Sequence, residues 1–437
     1  REKKTVLVKR VDSGETYSES YDVLVVSTGS SPLRPPIPGI ESSRVQTLWT
    51  VPDTDRIRAL VREQGVKSAA VIGGGFIGLE MAENLKHAGL TVSLIEALDQ
   101  VMSPIDFEMA QLLHESLVQN GVELHLSDAV ESFNDVVGGV DIKLKSGAVV
   151  TAELVILSIG VRPNGQLAKE AGLAVNARGG IVVNDHMLSS DPSIYAVGDV
   201  IEVEDFISKE HTMIPLAGPA NKQGRIAADN IAGLDASYSG TQGSSIAKVF
   251  DLTVASTGEN EKTLVKRGLV KGKDFESIII TQNNHASYYP GAVPMTLKLL
   301  FTKDGKQILG AQIVGRDGVD KRIDTIGVAT RLGASVADLK DLEFASAPPY
   351  SSAKDPVNML GFVAENVMNG MVRIAPWNIA ETNKDAVLLD VREDAELLAY
   401  TLPGAVHIPL GQLRGRLGEL DPAKTHVVFC AIGVRAY

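Results

Sequence analysis

The sequence predicts an α/β chain built of two nested, related modules, followed by an α+β region and a small α/β tail. Three observations predict it. Short apolar runs that end in glycine alternate with amphipathic helical stretches. The turn Gly73-Gly74-Gly75-Phe76-Ile77-Gly78 joins one such run to a helix. The segment 22–29 is repeated in outline at 153–160: an acid, four apolar residues, a serine, one further residue and a glycine, with a proline (Pro32, Pro163) three positions on. That spacing is too long for a solenoid repeat. One nucleotide domain inserted in a related one would leave such a trace.

The elements follow in order. Alternation over 5–11 and on toward Tyr21, with Ser13-Gly14 between, reads as a hairpin. Residues 22–29 read as a buried parallel-type strand, and the Pro-rich 32–38 as a connector. Residues 67–72 are another buried strand, followed by a helix through 79–88 that Gly89 closes. A strand over 91–96, a helix over 107–119 closed by Asn120-Gly121, a strand over 122–126 and a hairpin over 140–150 come next. From about Ser244 strands dominate. Asp304-Gly305 suits a type I′ hairpin turn, and helices are expected over 321–332 and 335–342. Residues 369–376 read as a linker. The tail then has strands over 386–391, 406–408 and 426–429 and a helix over 413–417.

The bulk numbers bound the function. At 437 residues the chain has room for roughly two to four domains of ~100–200 residues. A net charge of −12 argues against nucleic acid or an anionic membrane as partner, since both need a basic footprint. No apolar run approaches the ~18 residues of a membrane span, and no secretory signal opens the chain. The single cysteine, Cys430, excludes an internal disulfide and suggests a cytoplasmic setting. Arg1 and Tyr437 both read as internal positions of a longer protein. No metal ligand set is assigned.

The glycines Gly73, Gly75 and Gly78 gain weight from their context. They follow an apolar strand and open a helix, and Glu96 ends the next strand 23 positions after Gly73. In this Rossmann-like arrangement the first glycine permits the turn and the second lets a pyrophosphate approach the backbone. The third lets helix and strand pack closely. Free N–H groups at the helix start, from Phe76 and Ile77 on, favour the phosphates. Glu96 should accept hydrogen bonds from the adenosine ribose hydroxyls and repel a 2′-phosphate. NADH is therefore expected over NADPH, with NADPH possible.

The stretch Ser190-Asp191-Pro192-Ser193-Ile194-Tyr195-Ala196-Val197-Gly198-Asp199, taken with Thr28-Gly29 and Gly160–Pro163, resembles the pyridine nucleotide-disulfide oxidoreductases over about residues 1–366. The resemblance implies FAD. Asp199 would meet its ribityl and pyrophosphate region, Thr28-Gly29 would close the flavin domain, and Gly160 would be its counterpart in the nicotinamide domain. Pro215-Leu216-Ala217, heading a helix over 218–231, would lie by the isoalloxazine, where a helix N-terminus stabilises an anionic reduced flavin. It also implies a preceding segment with its own GxGxxG, where any redox cysteine would lie; the single-cysteine form belongs to the coenzyme A-disulfide reductase branch. The implied division is 1–50 and 166–243 for the FAD-binding domain, 51–165 for the NAD(H)-binding domain and 244–368 for a dimerisation domain.

Two longer stretches, 284–291 (Asn-His-Ala-Ser-Tyr-Tyr-Pro-Gly) and 345–359 (containing Pro348-Pro349-Tyr350-Ser351-Ser352), resemble the coenzyme A-disulfide reductase branch. In that branch a homodimer partner donates tyrosines to the active site. The matching positions are Tyr350 and one of Tyr288 or Tyr289. A phenol with a free pKa of ~10 is a competent hydrogen-bond donor to a thiolate leaving group at neutral pH.

The tail 377–437 resembles a rhodanese domain through Asp390-Val391-Arg392, Leu402-Pro-Gly-Ala-Val-His-Ile-Pro409 and Cys430-Ala-Ile-Gly-Val-Arg435. The last segment is the chemical one. The resemblance implies a nest of backbone N–H groups around the Cys430 sulfur, which with the Arg435 cation would lower the thiol pKa. Such a thiolate can hold a sulfane sulfur as a persulfide. His407 and Asp390 read as structural residues that fix strand ends.

The reading is an FAD-dependent NAD(P)H oxidoreductase that reduces sulfur–sulfur bonds in a small-molecule substrate (CoA disulfide, CoA persulfide or polysulfide), with a fused rhodanese-like domain handling sulfane sulfur. Two alternatives stand beside it. One is an NADH oxidase or peroxidase on the same scaffold. The other is a redox-sensing or sulfur-relay protein that binds NADH without turnover.

Overall fold

Ala69, Ala70, Val71 and Ile72 are apolar without alternation and are buried on both faces, which places strand Ser68–Ile72 in the middle of a parallel sheet. The order is Val45–Gln46, Leu154–Leu157, Ser68–Ile72, Thr91–Ile95, Val122–His125, every pair parallel. Helix Phe76–His87 returns the chain between the two central strands. An antiparallel sheet of Val130–Val136, Gly139–Leu144 and Val149–Ala152 lays Phe133, Val140, Ile142 and Leu144 onto the same core as Ala70, Ile72 and Val155.

The structure is a computed structural model that describes residues 1–437. The chain divides into two units. The first is Arg1–Ser103 with Leu117–Ser244, and the second is Pro104–Ser116 with Ser245–Tyr437.

In the first unit the repeated segments meet. Strand Ser30–Pro32, just past the first copy, pairs antiparallel with Val161–Pro163, just past the second. Asn164 sews the crossing. Its Nδ2 donates to the Thr28 carbonyl (2.9 Å), its carbonyl accepts from Thr28 Oγ1 (2.8 Å), and its Oδ1 accepts from Ser31 Oγ (2.9 Å). The first copy departs from expectation. Its strand is only Leu24–Val26, and Val25 is 43% exposed rather than buried. It pairs in parallel register with Ile194–Ala196. Helix Ala217–Ile231 packs Gln223 and Ala227 inward beside that strand pair.

The second unit is built on an antiparallel sheet ordered Ser245–Val249, Leu252–Gly258, Ile308–Gly315, Pro294–Thr302, Phe275–Asn283. Helices Val319–Arg331, Val336–Asp341 and Pro356–Met368 close it over Leu297, Leu299, Phe301, Ile313, Ile326 and Leu360. A hairpin does join strands Pro294–Thr302 and Ile308–Gly315, but the turn at Asp304-Gly305 is not type I′: residues 303–307 lie between the strands, and of the pair only Gly305 has a positive φ (70°). The tail forms a parallel three-stranded sheet, Val406–His407, Val387–Asp390, His426–Phe429, around Leu389, Val391 and Ile408. Asp390 and Arg392 form a buried ion pair at 2.7 Å, and His407 Nε2 lies 2.8 Å from the Arg392 carbonyl. Both contacts tie strand ends together.

Candidate functional site

The nicotinamide cradle is glycine-dependent for reasons visible atom by atom. Gly73 has φ +103°, and a Cβ there would sit 2.5 Å from the Ser158 carbonyl oxygen. A Cβ on Gly78 would lie 1.9 Å from the Gly73 carbonyl oxygen, so helix and strand touch there as a third glycine requires. Gly75 differs, because a Cβ would meet nothing within 4 Å. Gly75 is the N-cap of helix Phe76–His87, and no side chain caps that end. Open space over uncapped helix N–H groups fits a pyrophosphate. Ser158, inside the second repeat copy, braces the turn from below, with Oγ donating to the Ile72 and Gly73 carbonyls at 2.9 and 3.2 Å. Sequence reading did not single out Ser158, and no periodicity marks it.

Glu96 stands at the end of the neighbouring strand, and its carboxylate is oriented by the backbone. Oε2 accepts from Gly74 N (2.7 Å) and Oε1 from Leu98 N (2.9 Å). Each oxygen keeps a second lone pair for a ribose hydroxyl. The glycine turn and the acid are thus one hydrogen-bonded assembly.

The flavin-side residues gather in the same unit. An open cleft of about 510 Å³ is lined by Ser27, Gly29, Val197, Gly198, Ala220, Asn221 and Gly224. Gly29 (φ +66°), Gly218 and Gly224 would each direct a Cβ into open space. Asp199 lies in the short 3-10 turn Gly198–Val200, and its Oδ2 accepts from Ser30 Oγ at 2.9 Å. Buried Gln223 receives the Gly198 N–H (2.8 Å) and so fixes the turn to the helix. Leu216 is that helix's N-cap and makes no side-chain cap, so the N–H groups after Pro215-Leu216-Ala217 are left for a ligand. Three small cradle positions, an acid at the turn and a free helix start fit an FAD. Gln223, Asn221 and Gly224 escaped sequence reading because a helix interior carries no motif signal.

The tyrosine loops lie in the second unit. Tyr288 is 81% exposed, Tyr289 41% and Tyr350 72%. The Tyr289 ring meets His285 edge-on, with centroids 5.7 Å apart. Ala286 N donates to the Pro348 carbonyl at 3.3 Å, which joins the two loops.

Cys430 follows strand His426–Phe429, half-buried, on a loop that Gly433 turns at φ 85°. Burial pushes its thiol up. The backbone N–H groups of Ile432, Ala436, Arg435 and Gly433 outweigh that and hold the pKa below the ordinary value. The Arg435 guanidinium also reaches the sulfur, and its two terminal nitrogens grip Glu396 at 2.6 Å each. That clamp holds Glu396 at about 2, and the Glu393 backbone N–H adds to it. Glu396 was not anticipated; it lies 39 positions from Arg435, and only the fold brings them together.

Three stretches of the chain match models of known protein families. Residues 1–224 match the pyridine nucleotide-disulphide oxidoreductase model. This chain belongs to the pyridine nucleotide-disulphide oxidoreductase family. The family's dimerisation domain matches residues 244–356, and a rhodanese-like domain matches 377–437. Among curated relatives, a coenzyme A disulfide reductase of Staphylococcus aureus (strain JH9) is 35% identical over 365 residues, covering 83% of this chain and 80% of the relative. A crystal structure of reduced Bacillus anthracis CoADR-RHD superposes with TM-score 0.94 at 49% identity, covering 100% of this chain and 78% of that one. A NAD-dependent persulfide reductase from A. fulgidus superposes with TM-score 0.93 at 38% identity, covering 100% and 79%. FAD and NAD(H) are the cofactors this oxidoreductase family implies, and the two cradles fit them.

Proposed function

We propose that this oxidoreductase reduces sulfur–sulfur bonds of a small thiol carrier, CoA persulfide, CoA disulfide or polysulfide, with NADH as donor and as part of a homodimer. In this reading residues 1–50 with 166–243 hold the flavin, 51–165 hold the nicotinamide, 244–368 form the dimer contact and 377–437 carry the sulfur-handling thiol. When bound, FAD and NADH supply hydride and electron transfer. The glycine cradle at 73–78 holds the pyrophosphate and Glu96 holds the ribose. Asp199, oriented by Ser30, holds the ribityl side of the flavin. Tyr350 and Tyr289 donate a hydrogen bond to the departing thiolate.

The single observation that carries the sulfur chemistry is the Cys430 loop, where four backbone N–H groups surround one thiol in a chain that also has both dinucleotide cradles. The Cys430 thiolate attacks the outer sulfur of a persulfide, R–S–SH. A Cys–S bond forms, the S–S bond of the carrier breaks, and RS⁻ leaves with the bonding pair. The enzyme-bound Cys–S–SH is then available for reduction. The net reaction, RSSH + NADH + H⁺ → RSH + H₂S + NAD⁺, balances in atoms and electrons. The names of the S. aureus and A. fulgidus relatives, a CoA disulfide reductase and a persulfide reductase, support this substrate class.

The test is NADH oxidation by the full-length flavoprotein with CoA persulfide, CoA disulfide or polysulfide, read against sulfide and thiol release. Stoichiometric release is expected. NADH-driven flavin bleaching with oxygen uptake and no sulfide or thiol formed would overturn the reading in favour of an oxidase.

A further inference from the structure

The two tyrosine-bearing loops are both fastened to one buried guanidinium. Arg322, on helix Val319–Arg331, is 2% exposed. Its Nη2 donates to the Asn284 carbonyl (2.7 Å), at the root of the loop that carries Tyr288 and Tyr289. The same nitrogen donates to Asp355 Oδ2 (2.9 Å), at the root of the loop that carries Tyr350. Asp355 is 1% exposed and in turn accepts from Ser351 Oγ at 2.7 Å, the residue next to Tyr350. It also accepts from Val357 N at 3.0 Å, where it caps helix Pro356–Met368. Asn284 is locked on its other side, with Nδ2 to Asp317 (2.6 Å) and Oδ1 from Val293 N (2.9 Å). Gly318 makes the room, since a Cβ there would sit 2.3 Å from Arg322 Nη1.

A buried ion pair is a poor source of stability, because desolvation cancels most of the attraction. A planar fork that bonds two separate loops is instead a device for fixing their distance and angle. We infer that Arg322, through Asp355 and the Asn284 carbonyl, is a positioning residue that sets the spacing of Tyr350 and Tyr289 for protonating the leaving thiolate. This rests on the tyrosine roles proposed above. Lysine at 322 keeps the charge but lacks the rigid fork, whose Nε also donates to Asp355 Oδ1 (3.4 Å) and whose Nη1 donates to the Gly318 carbonyl (3.2 Å), so the angle between the loops is no longer fixed.

The experiment is a double-mutant cycle in the full-length holoenzyme with CoA disulfide as substrate. Arg322→Lys is expected to lower kcat about tenfold, the order of loss that a small misplacement causes. NADH-driven flavin bleaching should stay within about twofold of the parent, since that half-reaction does not use these loops. Replacing both tyrosines (Tyr350→Phe with Tyr289→Phe) should lower kcat as well, and adding Arg322→Lys to that pair should lower it no further. A further, multiplicative loss on adding Arg322→Lys to the pair, or unchanged kcat in Arg322→Lys alone, would overturn the positioning role while leaving the tyrosine roles intact. Full activity in Tyr350→Phe would overturn the tyrosine role and this inference with it. If Arg322→Lys does not fold, Ser351→Ala removes a single bond to Asp355 and must show the same non-additivity at smaller amplitude.

Discussion

At the scale of single residues, two side chains have chemistry set by backbone groups. Cys430 sits among four N–H donors, and its thiol is held below the ordinary value of about 8.5 against the opposing effect of burial. Its rate of alkylation by iodoacetamide should therefore rise with pH through a midpoint below that value. Gly433→Ala, at φ 85°, should strain the loop and move the midpoint upward. A midpoint at or above the free-thiol value in the parent would show that the nest is inert. Glu96 is the other case. Its carboxylate is aligned by the Gly74 and Leu98 N–H groups, leaving lone pairs for ribose hydroxyls and a negative charge against a 2′-phosphate. Glu96→Ala should raise the KM for NADH roughly tenfold, worth ~1.4 kcal/mol, and narrow the gap to NADPH. Steady-state kinetics with both dinucleotides would check this, and an unchanged ratio would remove Glu96 from the recognition scheme.

At the scale of elements, the start of helix Phe107–Gln119 is held on the sheet of the second unit by charge. Lys298, 1% exposed, contacts Asp106 (2.8 Å), Glu108 (2.5 Å) and Glu261 (2.9 Å). Burial opposes ionisation of Asp106, Glu261 and Lys298. The Lys298 cation overcomes it for Asp106 and Glu261 and holds both below the ordinary carboxylate range, while the three carboxylates hold Lys298 above the ordinary lysine value. Gln312 completes the assembly with bonds of 2.7 Å to the Asp106 backbone and side chain. Lys298→Met should cost about 3–5 kcal/mol, because buried carboxylates would lose their counter-charge. Chemical denaturation followed by a probe in this unit would measure it. The sign with pH follows from the shifts. The depressed carboxylates contribute stability that is present above their ordinary pKa of about 4 and lost as pH falls. The raised lysine contributes stability that is present below its ordinary value of about 10.4 and lost as pH rises. A stability plateau between about pH 5 and 9, with loss on both sides, is the expected profile.

At the scale of the whole molecule, the prediction is a ratio. NADH consumed by the full-length enzyme should appear as sulfide or thiol rather than as reduced oxygen, and a Cys430→Ser variant should lose sulfur handling from persulfides while NADH still bleaches the flavin. Loss of flavin bleaching in that variant would show that the thiol and the dinucleotide cradles are not separable. No helix is long and apolar enough to cross a membrane.

Legible in the residues alone were the strand–glycine–helix turn at 73–78, the acid that follows it, the presence (though not the turn type) of the hairpin at Asp304-Gly305, and the order of modules. Each is encoded by residues close together in the chain, where a missing Cβ or a run of apolar side chains acts locally. The first repeat copy forms a shorter strand, Leu24–Val26, than its apolar run suggests, and it pairs in parallel as that run implies. Tertiary structure alone decided that the two copies cross and are sewn by Asn164. It also decided that Ser158 braces the glycine turn, that Glu396 clamps Arg435, and that Arg322 fastens both tyrosine loops. These are polar contacts between residues tens to more than a hundred positions apart. Arginine, aspartate or asparagine reads as a solvated surface residue until burial removes water and leaves one partner. The opening motif of this chain could be read because its chemistry is made of backbone; the rest had to be folded before its partners existed.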